Sequence, residues 1–388
     1  MKKTLFLVSI LLSLFFLPGC WNKTELDEWG FAMAAALDQG ENGNIDFSFQ
    51  MYRPKGAKTG GNGGGGEQTS NFIIKTSDVT LFEAVRDVSL HLGRKTNKSH
   101  MRIILIGEKL AKTADVGKIV DFFYRDHEPR HTISIMIAKG RADKMLDNEP
   151  IIEDTTGQQL LLIKQFSNRY SAKTLDTNLL DLAIQMNSPH SDAAIAYVYK
   201  DKRAENLFNA GGVALLKKGK MISVLPSKKT EGLIMLLDKY NSGVVNIACP
   251  GKPKEQESLE LLSLKTKMKP KMNGDKVSVQ VKTKADGAIV ELKCTEIKTR
   301  KDEEEFIAKM EDAIKKEMEE TIKFLQAKKT DVLGIGNQIY SMDPNKWEKM
   351  KHTWDAKFAE IPFDIKVKLR LVTTGTVVGK TSVTGESE

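Results

Sequence analysis

The chain has 388 residues and carries 59 lysines and arginines against 51 aspartates and glutamates, which gives a formal net charge of +8. Its 40% hydrophobic content and its charge are typical of an ordinary globular protein, and they exclude a disordered chain. The sequence has no arginine-rich tract with interleaved aromatic residues, so nucleic-acid binding is not indicated.

The N-terminal segment has the three zones of an export signal. Two lysines at positions 2 and 3 precede a mostly apolar run over residues 4–17, and Pro18-Gly19-Cys20 closes the segment. The run is shorter than the roughly 20 apolar residues that a bilayer-spanning helix needs, but it suits the core of a signal peptide. Leu17-Pro18-Gly19-Cys20 resembles a lipobox, which predicts cleavage after Gly19 and lipid on Cys20. The alternative is an ordinary secretory signal with an incidental cysteine.

A lipid on Cys20 would hold the protein at the outer face of a membrane. A diacylglyceryl group supplies two acyl chains, and two chains hold stably where one does not. We therefore expect residues 1–19 to be removed as a signal peptide and residues 20–388 to form a tethered body of two or three domains. Loss of Lys2 and Lys3 lowers the formal charge from +8 to +6. This excess favours weak attraction to anionic headgroups, or simply solubility.

Two further cysteines, Cys249 and Cys294, lie near predicted strands. A disulfide is possible in an exported protein, but two buried thiols, which behave as small hydrophobic side chains, are the alternative. We slightly favour the two buried thiols.

The predicted N-terminal domain covers residues 20–205 and has the pattern of a mixed sheet with helices. Strands over Asn44–Met51 and Asn71–Lys75 flank a glycine-rich loop at Gly60–Gly66. A helix over Thr80–Leu92 starts with a capping pattern and ends before Gly93. The elements that follow are a strand over Met101–Ile106, one or two helices within Glu108–Asp126, a strand over Thr132–Ala138 and a largely helical stretch over Ile151–Asn187. The core candidates of that stretch are Leu160, Leu161, Ile163, Leu179, Leu180, Leu182 and Ile184.

A change of domain is expected near residues 200–210, where Lys200-Asp201-Lys202-Arg203 breaks the pattern. A small middle domain is predicted over residues 206–270, with a hairpin within Asn209–Ser223. The C-terminal domain is predicted over residues 271–388. Its predicted strands are Val277–Val281 and Ala288–Cys294, joined through Ala285-Asp286-Gly287, and the closing strands Ile361–Val372 and Thr376–Val383.

A long helix over residues 302–328 is the clearest single element. Acidic residues 302–305 lie at its start and Lys328 and Lys329 at its end, which suits the helix macrodipole. Its apolar stripe consists of Phe306, Met310, Ile314, Met318, Thr321, Ile322 and Leu325. Such a stripe usually packs on a sheet, and a partner-binding helix is the alternative. The predicted fold class is therefore α+β, with three mixed α/β domains on mostly antiparallel or mixed sheets.

No catalytic, cofactor-binding or metal-ligating residue is predicted, and we expect a protein that is not an enzyme. His127-Glu128-Pro129-Arg130-His131 matches the letters of H-E-x-x-H, but that zinc motif works only on a helix. Pro129 removes a backbone donor and clashes with the preceding turn. The glycine-rich segment Gly60–Gly66 lacks the Lys-Ser/Thr and the following helix of a phosphate loop.

Several short motifs, in order, resemble the Ger(x)C family, the C subunits of spore nutrient-germinant receptors. Gly19-Cys20-Trp21-Asn22 with Glu25-Leu26 is similar to the family's mature start, and Ser99–Ala111 resembles its central strand-turn-helix segment. The segment Phe122–Arg130 continues that likeness. The C-terminal motifs are Asp331-Val332-Leu333-Gly334-Ile335-Gly336 and, in matching order, Trp347, Trp354, Phe358 and Pro362. The Gly60–Gly66 run departs from the family pattern.

The resemblance implies a lipid-anchored subunit on the outer face of the spore inner membrane. There it would assemble with integral membrane A and B subunits into a receptor for small nutrients, with no catalysis of its own. Nothing in the residues identifies a ligand pocket, so nutrient is expected to bind elsewhere. The alternatives are a solute-binding lipoprotein of a transport system and an enzyme acting on the cell wall.

Overall fold

The computed structural model describes residues 25–53, 70–201 and 207–373, together with Thr4. Cys20, the Gly60–Gly66 run and the predicted strand Thr376–Val383 lie outside the described residues. None of the described helices is long and apolar enough to cross a membrane.

The first sheet has nine strands and mixed directions. Its strands are β1 (Trp29–Gln39), β2 (Ile45–Tyr52), β3 (Asn71–Asp78), β4 (Lys95–Asn97), β5 (Ile103–Gly107), β6 (Ser134–Ala138), β7 (Ala193–Lys200), β8 (Phe208–Lys217) and β9 (Lys220–Leu225). The order is β3-β2-β1-β5-β6-β7-β8-β9, and β4 pairs with the start of β1. The pairs from β1 through β5 and β6 to β7 are parallel, and the pairs at both ends of the sheet are antiparallel.

Helices cover both faces of this sheet. They are α1 (Leu81–Leu92), α2 (Glu108–Thr113), α3 (Val116–Arg125), α4 (Asp143–Leu146), α5 (Thr156–Ser171) and α6 (Leu179–Met186). One core lies between the sheet and α1, α2, α3 and α6, and a second lies between its other face and α4 and α5. Because both faces are covered, β5 and β6 are buried along their whole length, as their continuous apolar sequences require.

The second sheet has four strands and one long helix on its inner face. Its strands are β10 (Gly243–Cys249), β11 (Lys252–Asn273), β12 (Lys276–Glu291) and β13 (Phe363–Thr373), in the order β10-β11-β12-β13. The helices of this region are α7 (Ser227–Leu236), α8 (Arg300–Ala327), α9 (Ile335–Met342), α10 (Pro344–Met350) and α11 (Trp354–Glu360). The core between α8 and the sheet also takes in α7 and the adjoining end of the first sheet.

The long helix α8 forms where its sequence pattern predicts it. Thr299 caps its start, since the hydroxyl accepts from the backbone N–H of Asp302, whose carboxylate accepts from the backbone N–H of Thr299. All seven residues of the predicted stripe are buried. The mixed α/β class and a long C-terminal helix packed on a sheet are therefore confirmed.

One local prediction is wrong. The strands predicted at Val277–Val281 and Ala288–Cys294 are a single strand, β12, because Asp286 and Gly287 stay paired with both neighbouring strands. Gly287 serves close packing instead of a turn, since a Cβ there would lie 2.9 Å from Cδ2 of Leu259. Asp286 is held in the sheet by Arg370 at 2.7 Å.

The expectation of two buried thiols is also wrong. Cys249 at the end of β10 and Cys294 just after β12 form a disulfide with a Cα–Cα distance of 5.9 Å. The long strands β11 and β12 bring the two ends together, which a spacing of 45 residues does not reveal. The bond ties the edge strand β10 to the segment that leads into α8.

The three-domain division at residues 205 and 270 stays a prediction. The hairpin predicted within Asn209–Ser223 forms as β8 and β9, and these two strands continue the nine-stranded sheet beyond β7. Strands β10 and β11 pair with β12 and β13.

Candidate functional site

The residues of the H-E-x-x-H pattern lie in bends and turns after α3. His127 points to solvent with 95% of its side chain exposed. The Glu128 carboxylate lies 3.0 Å from Nζ of Lys98 and accepts a hydrogen bond from the Lys98 backbone N–H. This segment therefore lacks the helical geometry that places two histidines on one metal ion, and Glu128 instead holds the loop after β4.

The family-like segments around residues 99–102 and Arg130 meet at one end of the first sheet. There they line a polar pocket of about 350 Å³, which we call the arginine pocket and define by His100, Arg102, Arg130 and Asp176. Both guanidinium groups are exposed, and within the described part of the chain neither forms an ion pair. The pocket therefore presents two planar, permanently positive groups suited to a carboxylate or phosphate.

A fully buried lysine lies beneath this pocket. Lys164 of α5 donates from Nζ to Oγ of Ser134 at 2.6 Å and to the carbonyl of Thr177 at 3.2 Å, and it pairs with the Asp176 carboxylate. Burial lowers the pKa of Lys164, and Asp176 opposes that shift. Asp176 is therefore already paired with Lys164, so its negative charge does not neutralise Arg102 and Arg130.

A buried polar cluster connects the two sheets, and we call it the polar joint: His190, Asp192, Asp331 and Trp354. Asp192, just before β7, accepts through Oδ2 from the Thr330 hydroxyl and from the Asp331 backbone N–H, both at 2.9 Å. Asp192 and Asp331 are thus linked although they are 139 residues apart.

Asp331 organises the start of α9. Its carboxylate accepts from the backbone N–H groups of Ile335 at 3.1 Å and Gly336 at 2.7 Å, and from Nε1 of Trp354 at 3.0 Å. Gly336 is required because a Cβ there would meet Trp347 at 2.7 Å. Burial raises the pKa of Asp331 to about 6, against the hydrogen bonds and the nearby His190.

His190 completes the joint. Its backbone N–H donates to Oδ1 of Asn337 at 2.8 Å, and Nδ2 of Asn337 donates back to its carbonyl at 3.1 Å. Nε2 of His190 lies 3.1 Å from Oδ2 of Asp192. Burial lowers the pKa of His190, but Asp192, Asp331 and Asp355 outweigh burial and leave the pKa above its ordinary value. The joint is thus a charged, hydrogen-bonded connection between the two halves of the chain.

Among the described residues, two groups have donor atoms close enough to consider a metal ion. In the first, His190, Asp192 and Asp355, the Asp192 carboxylate already accepts two hydrogen bonds and Asp355 pairs with Lys217 at 2.7 Å. In the second, the sulfurs of Cys249 and Cys294 are joined, and Glu257 accepts from the backbone of residues 293–295. Protein partners engage the donors of both groups, so we assign them structural roles.

Fold and site together define a protein of two sheet units joined through a buried polar connection. A model of the "spore germination protein N-terminal domain" matches residues 22–200, and a model of the "spore germination B3/GerAC like, C-terminal" domain matches residues 211–375. The chain belongs to the Ger(x)C family of spore germination proteins. Members of this family are receptor subunits and not enzymes, which confirms the expected non-enzymatic function.

Relatives and a solved structure agree with this assignment. The chain is 28% identical to spore germination protein KC of Bacillus subtilis over 96% of both chains. It is 24% identical to spore germination protein B3 of the same organism, over 93% of this chain and 95% of the relative. A crystal structure of the GerBC protein has the same fold, with a TM-score of 0.55 and 21% identity, over 87% of this chain and 96% of that one.

Sequence reasoning found the segments of the site but not its geometry. The motif that starts at Asp331 resembles the family, and the structure shows that the Asp331 carboxylate accepts hydrogen bonds from the start of α9 and from Trp354. No role is predicted from the sequence for His190 or Asp192, whose one sequence signal is that they follow the predicted helical stretch Ile151–Asn187. Cys20, the predicted lipidation site, lies outside the described residues.

Proposed function

We propose that this protein is the lipid-anchored C subunit of a spore nutrient-germinant receptor. It would be needed for assembly or coupling of the receptor with its integral membrane A and B subunits, on the outer face of the spore inner membrane. The observation that carries the proposal is the pair of family matches over residues 22–200 and 211–375, behind the lipobox-like Leu17-Pro18-Gly19-Cys20. Two acyl chains on Cys20 would keep the body beside membrane-embedded partners.

The polar joint suits a coupling role. The buried carboxylate of Asp192 accepts two hydrogen bonds from the second sheet unit and pairs with His190, and breaking one member of such a network is costly. A force or contact applied to one unit by a membrane partner would therefore be transmitted to the other. The apolar stripe of α8 is buried in the core, so it is not the face that would bind a membrane partner.

Germination assays test the proposal directly. Deletion of the gene, or the change Cys20→Ala, should abolish the response to one nutrient class in spores of a strain that lacks paralogues. Complementation with the unchanged gene is the control, and immunoblotting of the inner membrane shows whether the variant is made. Mass spectrometry of the mature N-terminus should find an acylated Cys20. Normal germination of the deletion strain on every nutrient tested would refute the proposal.

One observation favours a second candidate, a solute-binding lipoprotein. The arginine pocket offers a small carboxylate two guanidinium groups that form no ion pair with any described residue. Calorimetry of the protein against amino acids would show saturable binding in this case, and the double change Arg102→Gln and Arg130→Gln would abolish it. Absence of heat with every ligand, together with a germination defect, favours the receptor subunit.

A further inference from the structure

The outer face of the second sheet carries a dense array of basic side chains. In β11, β12 and β13 many of the residues that point away from α8 are lysines, and all of these basic residues are exposed. We call this surface the lysine face. It consists of Lys265, Lys267, Lys269, Lys271, Lys282, Lys284, Lys366, Lys368 and Arg370. Three acidic residues, Glu260, Asp286 and Asp364, share the face, so its formal charge is 9 − 3 = +6.

The register of the strands sets like charges directly opposite each other. Lys267 pairs with Lys282, which pairs in turn with Lys366 on the next strand. The neighbouring row, Lys265, Lys284 and Lys368, repeats the arrangement. Like charges directly opposite in a sheet destabilise it, so this arrangement works against the stability of the fold.

Little within the described part of the chain neutralises this charge. Arg370 pairs with Asp286 at 2.7 Å, and Lys265 lies 4.0 Å from Asp238. The other seven lysines form no ion pair with any described residue. The inner face, by contrast, is closed by α8, so the lysine face is the open side of this sheet.

Two ordinary explanations account for the face only in part. Lysines on an edge strand prevent pairing with other chains, and this accounts for the residues of β13 and for those at 265–271, which lie beyond the part of β11 that pairs with β10. It does not account for Lys282 and Lys284 of the interior strand β12, which lie opposite lysines on both sides. Solubility requires charge, but it is served as well by mixed signs that do not repel one another. A concentrated single-sign array indicates a partner of opposite charge.

We propose that the lysine face binds the anionic headgroups of a membrane surface. The choice of a membrane rests on the proposed lipid anchor, which keeps the body next to the bilayer. Lysine ammonium groups are compact charges on flexible stems and need no fixed geometry, so they suit a fluid array of phosphates better than a shaped protein surface. Contact through this face would fix the orientation of the body, which a single lipidated residue does not.

Vesicle binding tests the proposal without the lipid anchor. The full mature chain from residue 20, with Cys20→Ala, is sedimented with vesicles of phosphatidylcholine alone and of phosphatidylcholine with one third phosphatidylglycerol. Binding is expected only to the anionic vesicles, and it should weaken as salt is raised because screening shortens the range of surface charges.

Changing one row of the face gives the specific test. The triple change Lys267→Gln, Lys282→Gln and Lys366→Gln should lower the vesicle partition coefficient about 100-fold, since each basic residue near an anionic surface contributes a factor of about five. The control is Lys109→Gln, Lys228→Gln and Lys349→Gln, which removes the same charge from exposed positions on α2, α7 and α10. The control should bind nearly as well as the unchanged chain.

Stability provides a second readout, which should move in the opposite direction. Relief of like-charge repulsion in the row Lys267, Lys282 and Lys366 should raise the melting temperature by about 2 °C. Weaker binding by a more stable variant excludes misfolding as the cause. Equal losses in both triple variants would overturn the proposal, as would binding that ignores lipid charge. Because the chain in this assay carries no lipid, its outcome does not depend on whether Cys20 is acylated in spores.

Discussion

The two sheets of this protein achieve stability in different ways. The nine-stranded sheet has helices on both faces, and its central strands β5 and β6 are buried throughout. The four-stranded sheet alternates, with apolar residues against α8 and lysines on the open side. Because α8 is the long helix that closes the inner face of the second sheet, the stability of the C-terminal region should depend strongly on its buried stripe.

The largest effect of a substitution is expected in the core between α8 and the second sheet. Phe306 of α8 is fully buried between the helix and the sheet. Phe306→Ala should lower the free energy of unfolding by about 3–5 kcal/mol, since it removes buried area and leaves a cavity. Urea unfolding followed by circular dichroism measures this change. The exposed neighbour Lys309→Ala should shift it by less than about 0.5 kcal/mol, and equal effects of the two changes would contradict the dependence on α8.

The disulfide between Cys249 and Cys294 should also stabilise the C-terminal region. Replacing Cys249 and Cys294 together by alanine should cost about 2–4 kcal/mol, because the closed loop restricts the unfolded chain. Thermal unfolding with and without a reductant checks the prediction. The reductant should lower the melting temperature of the unchanged protein and leave that of the double variant where it is. A reductant effect on the double variant would point to another cause.

Glu317 of α8 makes the C-terminal region sensitive to pH. Its side chain is buried against Glu231 of α7, and burial together with that carboxylate raises the pKa of Glu317 to about 8. The folded state therefore holds a proton that the unfolded chain releases near pH 4.5, and stability should fall as pH rises from about 4.5 to 8. We expect a loss of about 5 kcal/mol, since each unit of difference in pKa corresponds to about 1.4 kcal/mol.

The change Glu317→Gln should flatten this pH dependence, because the amide keeps the shape and cannot ionise. The measurement is the unfolding free energy at several pH values between 4.5 and 8.5. Glu319→Gln, at a half-exposed position of the same helix where the carboxylate pairs with Lys315, is the matched control and should retain the slope. A slope that survives in Glu317→Gln assigns the effect to other groups, such as Asp331.

The smallest effects on stability are expected from loss of a helix cap, and they should be equal in the two regions. Thr80 caps α1 and Thr299 caps α8, each accepting from a backbone N–H at 3.2 Å. Alanine at either position should cost about 1 kcal/mol, since a cap depends on the helix end and not on the sheet behind it. Chemical denaturation measures both, and serine should restore most of the loss. A cost at one position several times that at the other would show that sheet coverage also governs the helix ends.

Helices and strands with a strong hydrophobic period could be predicted from the sequence. The buried stripe of α8, the cap and glycine end of α1, and the strand β2 form as expected, because local pattern decides them. Two core candidates are wrong, since Leu180 and Ile184 of α6 are 47% and 60% exposed. An apolar residue on a short helix does not show by itself which side faces the sheet.

Long-range features could not be predicted in the same way. Asp286-Gly287 has the composition of a turn, yet cross-strand partners keep it extended. The disulfide and the polar joint each join residues distant in the chain, such as Asp192 and Asp331, and one sequence does not show which distant residues meet. The family-like motifs located segments of the site, but the contacts between them depend on tertiary packing.

The position of β13 has a consequence for how the protein is made. This strand lies parallel to β12 at the edge of the second sheet, and residues 279 and 363 are partners. During synthesis the nine-stranded sheet can close once residue 225 has emerged, whereas the second sheet must wait for the segment 363–373. A chain interrupted before residue 363 would leave β12 as an unprotected edge, and such edges invite aggregation. Ribosome stalling or proteolysis in this stretch should therefore yield insoluble protein despite an intact first half.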